Sequence, residues 1–264
     1  WGVDALPSNR LSTEVNACFI SARNVTIQRD PLILDLDGDG LELVAASGNI
    51  LFDHNADGIK TGTGWAGADD GFLVRDLNGN GVIDSGRELF GVDTVKSNGQ
   101  LATQGFDALA DLDSNADGQI TSADTAWSQL QVWRDLNQDG ISQSNELFSL
   151  ADQGIASINL AGTTANTNLN NGNTVGATAV VTRSDGSTTT ASDLNLAQNP
   201  FFRSFATDVT ESEAALALPE MGGSGWVRDL REAMSLGTEQ AQALLAQVQS
   251  FASGTTQAEK TAQL

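Results

Sequence analysis

The chain has 264 residues, a hydrophobic content of 40%, and 34 acidic against 13 basic residues, for a formal net charge of −21. That apolar content suffices for a packed core and excludes a disordered acidic tail, while the charge excludes nucleic acid as a partner, because a phosphate polymer would be repelled. Divalent cations are the natural counter-charge: 24 of the acids are Asp and 10 are Glu, and many of the Asp fall in stretches rich in Gly and Asn.

In chain order, residues 1–30 are mixed, with a strand expected at Val25-Thr26-Ile27. Cys18, the single cysteine, has no internal disulfide partner and reads as a small buried hydrophobe. No apolar run approaches the roughly 18 residues of a membrane helix, and no signal peptide opens the chain at Trp1. The sequence therefore reads as a piece of a longer protein with export signals elsewhere. From Pro31 to about Leu150, short apolar stretches alternate with loops rich in Asp, Asn and Gly. From Ile155 to about Ala197 the chain is rich in Thr, Asn and Gly and alternates in polarity, with Ser184-Asp185-Gly186-Ser187 as a hairpin turn. From about Glu211 the spacing of Val227, Leu230 and Met234, and then of Leu244, Val248 and Phe251, predicts helices broken at 221–225 and 235–237. The predicted architecture is α+β: a segment 1–30, an EF-hand-like calcium-loop module with a β-hairpin region over 31–197, and a helical C-terminal segment over 198–264.

Five loops carry the chemistry. A calcium loop needs oxygen ligands at positions 1, 3 and 5, Gly at 6, a backbone carbonyl at 7 and a carboxylate at 12. The loop from Asp135 meets every demand, with Asp135, Asn137, Asp139, Gly140, Ile141 and Glu146, and helices are expected on both sides over 127–134 and 147–152. The loop from Asp113 supplies Asp113, Asn115, Asp117 and, at position 12, the shorter Asp124, with a helix expected over 106–112. These two loops read as a pair joined by one helix. A third supplies Asp76, Asn78, Asn80 and Asp84, with Glu88 at position 13 and Gly86 absorbing the extra residue. The loops of Asp35, Asp37 and Asp39 and of Asp53, Asn55 and Asp57 have Ala46 and Gly64 at position 12. They must share ligands or recruit Glu42, Asp69 or Asp70. Four to five Ca²⁺ ions are expected; the opposing reading is a set of metal-free Asp/Asn–Gly turns. His54, at position 2 of its loop, is expected at the surface. With one His and one Cys, neither a Ser/His triad nor a zinc site can be assembled.

Asp30–Pro31 has a chemistry of its own. The Asp side chain can attack its own carbonyl carbon, close a five-membered anhydride and expel the proline nitrogen, a tertiary amide without N–H. In free peptides this needs acid. A fold that fixes the attack geometry can gain roughly 7–11 kcal/mol. The leaving nitrogen needs a proton, and a carboxyl of raised pKa is the expected source.

The stretch Asp30-Pro31-Leu32-Ile33-Leu34-Asp35-Leu36-Asp37-Gly38-Asp39-Gly40 resembles the start of the self-processing module of FrpC-type RTX proteins. Residues 52–65, Asp69-Asp70-Gly71, 76–90 and 135–147 resemble it too, so the likeness covers roughly 30–197. It implies calcium-triggered cleavage of Asp30–Pro31, with Asp30 as nucleophile and Pro31 as leaving residue. It also implies capture of the activated Asp by a lysine amine of a neighbouring protein as an isopeptide, and type I export to the medium or cell surface. The helical tail is not a nonapeptide repeat and carries no assigned activity. Only three lysines are present, Lys60, Lys96 and Lys260. As an isolated module the chain is expected to be monomeric. The competing class is a non-enzymatic, calcium-stiffened spacer or adhesion module in which Asp30–Pro31 is a turn. An intracellular calcium sensor fits less well, because two Met cannot line a Met-rich groove.

Overall fold

The computed structural model describes residues 29–169 and 171–254; Cys18, Val25–Ile27 and Lys260 lie outside them. Fourteen strands follow in chain order: β1 Leu32–Leu34, β2 Leu43–Val44, β3 Leu51–Phe52, β4 Ile59–Thr63, β5 Trp65–Ala66, β6 Gly71–Val74, β7 Gln119–Thr121, β8 Gln131–Trp133, β9 Leu147–Ser149, β10 Ile155–Asn159, β11 Thr163–Asn168, β12 Thr174–Arg183, β13 Thr188–Asn195 and β14 Gln198–Phe205. Nine of them form one sheet in the order β7-β10-β12-β13-β1-β6-β8-β9, with β11 also on β12. The pairings are antiparallel.

Position in this sheet explains composition. β1 is central, between β13 and β6, and all three of its residues are fully buried. Leu32 and Leu34 enter a cluster with Leu73, Phe106, Leu109, Ile120 and Val132 on one face. Ile33 enters the other cluster with Phe52, Trp65, Phe72 and Trp133. A strand covered on both faces reads as an unbroken apolar run, which is what Leu-Ile-Leu is. β12 alternates between buried and half-exposed residues and turns into β13 through Thr182↔Thr188, so the hairpin at 184–187 forms where its turn residues place it.

The α+β, EF-hand-like architecture is not what the chain adopts: the fold is mostly antiparallel β. The stretch 127–134, expected as a helix, is a single 3₁₀ turn at Trp127–Gln129 followed by β8, and 147–152 opens with β9. Val132 and Trp133 point to opposite apolar clusters, a burial that a strand provides and one helix face does not. The Asp113 and Asp135 loops are accordingly joined by strands, not by a helix. The helix before the Asp113 loop is present, over Gly105–Ala110. In the C-terminal segment, β14 pairs with β4, then helices Glu213–Leu216, Leu230–Met234 and Glu239–Ser253 pack around Ala215, Leu218 and Met234. Among the described residues no helix is long and apolar enough to cross a membrane.

Candidate functional site

The five acidic loops follow one backbone path. Position 4 has positive φ in each of them: Gly38, Ala56, Gly79, Ala116 and Gln138. So does the glycine at position 6: Gly40, Gly58, Gly81, Gly118 and Gly140. In four loops the position-1 Asp accepts the position-6 N–H: Asp53 from Gly58, Asp76 from Gly81, Asp113 from Gly118 and Asp135 from Gly140, at 2.8–2.9 Å. Asp35 instead accepts the N–H of Gly38 at 2.7 Å.

Closure also repeats. Glu88 spans the N–H groups of Leu77 and Asp84, Asp124 those of Ser114 and Thr121, and Glu146 those of Leu136 and Gln143. In each case these are positions 2 and 9. The Asp35 loop obtains a similar closure, at positions 2 and 8, from a distance: Asp70 accepts Leu36 N–H at 3.4 Å and Glu42 N–H at 3.0 Å. Asp70 thus fills the gap left by Ala46, and it stands with Glu42 and Asp69 in one carboxylate group, as Asp35, Asp37 and Asp39 do in another. For the Asp53 loop no acid among the described residues takes the closing place. Asn55, Asn115 and Asn137 each donate to the Asp two residues on (Asp57, Asp117 and Asp139), and Asn80 donates to Asp84, so the ligand positions of each loop converge. The donor set is all oxygen, which suits a hard cation such as Ca²⁺ and not a soft metal.

The loops are tied to the core and to one another. Buried Trp65 donates its indole N–H to Asp135 at 2.8 Å, and Trp133 donates to Glu146 at 3.4 Å. Ile83 N–H donates to Ser142 Oγ, joining the third loop to the Asp135 loop. The Asp35 loop is fastened to the hairpin by Asp35 N–H to Thr190 O and Thr189 Oγ1 to Asp35 O.

Asp30–Pro31 lies between these systems, held along both edges as a continuation of β1. Leu196 N–H donates to Arg29 O at 2.8 Å and Leu194 N–H to Pro31 O at 3.2 Å. On the other side Leu32 N–H donates to Phe90 O, and Val92 N–H donates to Asp30 Oδ1 at 2.7 Å. Pro31 contributes no N–H, so parting the two residues breaks none of these bonds. Gly91 packs against the bond itself: a Cβ there would stand 2.7 Å from Asp30 O. The segment doing this follows Glu88 directly, so the third loop leads straight into the wall packed on Asp30–Pro31.

A small cavity at the bond is lined by Arg29, Asp30, Pro31, His54, Leu89 and Asp93 among others. Asp30 is 6% exposed, and burial pushes its carboxyl up to about 7, against the pull of the Val92 N–H. Arg29 pairs with Asp93 at 2.7 Å. His54, expected at the surface, is buried in this cavity wall, and burial with the Arg29 charge lowers it to about 3. Its Nε2 lies 2.9 Å from Thr63 Oγ1, whose own proton goes to Gly64 O, so His54 is a neutral ring donating from Nε2. At position 2 the backbone lies against Gly86, where a Cβ would meet His54 O, and the ring turns inward onto Thr63, Phe52 and Trp65. No sequence signal marked this, since Gly86 lies 32 residues on.

The SPM domain family matches residues 32–197, beginning one residue past Pro31. The chain is also 51% identical over 219 residues to the iron-regulated protein FrpA of Neisseria meningitidis serogroup C, covering 82% of this chain. It spans 20% of that relative's length. The match thus holds the fold and the acidic loops described above: this chain belongs to the SPM domain family.

Proposed function

We propose that this chain is a calcium-triggered self-processing module that cleaves its own Asp30–Pro31 bond once, through an aspartyl anhydride, within an exported RTX-type protein. The observation that carries the reading is the bond itself, buried and pinned on both edges, with a largely desolvated carboxyl held by one backbone N–H. A turn residue would have no need of that enclosure. Leu194, Leu196 and Phe90 hold the backbone on either side of the bond, and the Val92 N–H holds the Asp30 carboxyl that turns onto its own carbonyl carbon. Burial keeps water from the electrophile, leaving time for a lysine amine of a neighbouring protein to capture it.

When bound, calcium supplies positive charge that neutralises the loop carboxylates and fixes their closure. The donor oxygens are Asp35, Asp37, Asp39, Asp53, Asn55, Asp57, Asp76, Asn78, Asn80, Asp84, Glu88, Asp113, Asn115, Asp117, Asp124, Asp135, Asn137, Asp139 and Glu146, with the Ile141 carbonyl and the recruited Asp70. Without neutralisation a net charge of −21 opposes folding, so the cut site assembles only outside a low-calcium cytosol.

Intact mass before and after adding millimolar calcium at neutral pH tests the reading. Fragments 1–30 and 31–264, abolished in Asp30→Ala while calcium-induced folding persists, are the expected result. An unchanged mass in a folded protein leaves a calcium-stiffened structural module instead.

A further inference from the structure

Asp193 is a buried carboxyl that neither the loops nor the pinning of the bond uses. It lies on β13 opposite Leu32 and is 5% exposed. Its Oδ1 accepts the Gly105 N–H at 2.8 Å, where the helix Gly105–Ala110 starts. A Cβ at Gly105 would stand 2.7 Å from that oxygen and 2.6 Å from Leu32 Cγ, so the helix is seated directly on this carboxyl. Continuing the register places Asn195 opposite Asp30 and Asp193 on the diagonal, on the sheet face that Asp30 shares with Leu32. Among the described residues no cation pairs with Asp193. A position facing an apolar cluster on a central strand is ordinarily Val, Ile or Leu, and a charge there costs several kcal/mol.

We propose that Asp193 is a positioning residue of the self-processing site, a second carboxyl whose negative field holds on Asp30 the proton that the Pro31 nitrogen needs as it leaves. This rests on the self-cleavage reading above. In the neutral acid form, the Asp30 carboxyl oxygen adds to the Asp30 backbone carbonyl carbon. The C–N bond to Pro31 breaks with its electron pair going to nitrogen, and the carboxyl proton passes to that nitrogen. A cyclic anhydride and a secondary amine result, and no outside acid is consumed. Asp30 is faced by Asp193 from β13, by Asp93 from the 89–93 segment, by neutral His54, and by Arg29, whose charge is engaged by Asp93. On the helix covering Asp193, Asp107 is engaged by Lys96 and Thr103. Burial is the main cause of the raised Asp30 carboxyl, and the Asp193 charge adds to it.

The test is the pH profile of single-turnover cleavage of the calcium-saturated full chain between about pH 5.5 and 8.5, with folding followed by tryptophan fluorescence. The wild-type rate should fall as pH rises through the Asp30 range. Asp193→Asn should match wild type in acid and be roughly five- to tenfold slower at the alkaline end, because its midpoint moves down. Asp193→Glu should restore the wild-type midpoint. An Asn profile lowered by one factor at every pH, or superimposed on wild type, overturns the proposal. A wild-type chain that is never cut sinks the self-cleavage reading as well, whereas a cut chain with an unmoved midpoint sinks this inference alone. Should the Asn variant fail to fold, ¹³C carboxyl titration of Pro31→Ala protein decides: coupled two-step curves for Asp30 and Asp193 support the pair, and independent single steps refute it.

Discussion

Asp124 of the Asp113 loop and the carboxyls Asp30 and Asp193 are all buried, but they differ in their hydrogen-bond donors. Asp124 closes its loop with the N–H groups of Ser114 and Thr121 and the Ser114 hydroxyl, and the Thr121 N–H above all holds it below the usual carboxylate range. Asp30 and Asp193 have one N–H partner each, from Val92 and Gly105, and burial lifts them to about 7 and about 6. The balance of donors against desolvation decides which form each backbone accommodates. The loop backbone is shaped around carboxylate anions, whereas the surroundings of Asp30 and Asp193 favour the protonated form. Asp70 bridges the two regions. It has two N–H donors like a loop acid, yet burial pushes it up to about 7, and it closes the loop that begins at Asp35, just beyond Asp30–Pro31.

Removing that bridge should have the largest effect. Asp70→Ala strips the Leu36 and Glu42 N–H groups of their acceptor, which should cost about 3 kcal/mol in urea unfolding at saturating calcium. Cleavage should slow with it, because the Asp35 loop loses its closure. Stability within a few tenths of wild type would mean that Asp70 is no loop acid and that the two regions are unconnected.

Next is Asp193→Asn, whose effect has a sign set by pH. A carboxyl raised in the folded state contributes stability that is full below its unfolded value near 3.8 and is lost as pH rises through about 6. At pH 8 the wild type therefore carries a buried charge that Asn removes while still accepting the Gly105 N–H. The variant should be more stable by about 2 kcal/mol at pH 8 and show no such gain near pH 4, read by urea denaturation in excess calcium. Asp124 runs the other way: a lowered carboxyl stabilises above the unfolded value and loses that as pH falls. A gain for Asp193→Asn that persists into acid would dissolve the contrast between proton-keeping and anion-keeping sites.

What the sequence disclosed divides along the same line. The loops of Asp76, Asp113 and Asp135 are closed by acids 11 or 12 residues from their first ligand, so spacing alone exposes them. The carboxyls near Asp30–Pro31 come from remote segments: Asp70 reaches back 34 residues to Leu36, and the β1–β13 pairing sets Asp193 opposite Leu32. No local pattern encodes a diagonal across two strands. The same limit misled the reading of the flanking segments. Loops of this shape suit helix entry and strand entry alike, and the choice of strand rests on pairing between β8 and β6, 57 or more residues apart. The burial of His54 is hidden from local sequence in a related way, since Gly86, packed on its backbone, belongs to a later loop.

A smaller change tests how far the loops depend on the core. Trp65→Phe keeps the ring packing beside Phe72 but removes the indole N–H given to Asp135, whose Asp139 and Gly140 donors remain. A loss of about 1 kcal/mol with a severalfold weaker calcium midpoint is expected by fluorescence titration using the remaining tryptophans. An unchanged midpoint would show that the loop is shaped by its own backbone alone.

The smallest effect should come from Ala116, held at φ 58 in position 4 of the Asp113 loop, where Gly79 and Gly38 serve the corresponding loops. A left-handed alanine costs roughly 1 kcal/mol, which the Asp113 bonds to the Asp117 and Gly118 N–H groups offset. Ala116→Gly relieves that strain but gives the unfolded chain more freedom, so the net gain should be only about 0.5 kcal/mol. Gly79→Ala should lose about 1 kcal/mol at the equivalent place, with open space around it and only the backbone to object. The two substitutions measured together by thermal unfolding in calcium separate loop strain from chain entropy: opposite signs mean that the carboxylate–N–H bonds impose the path on whatever residue stands there. Equal signs would mean that the positive φ at position 4 is not shared by the two loops in solution, and that the Asp76 and Asp113 loops are shaped differently.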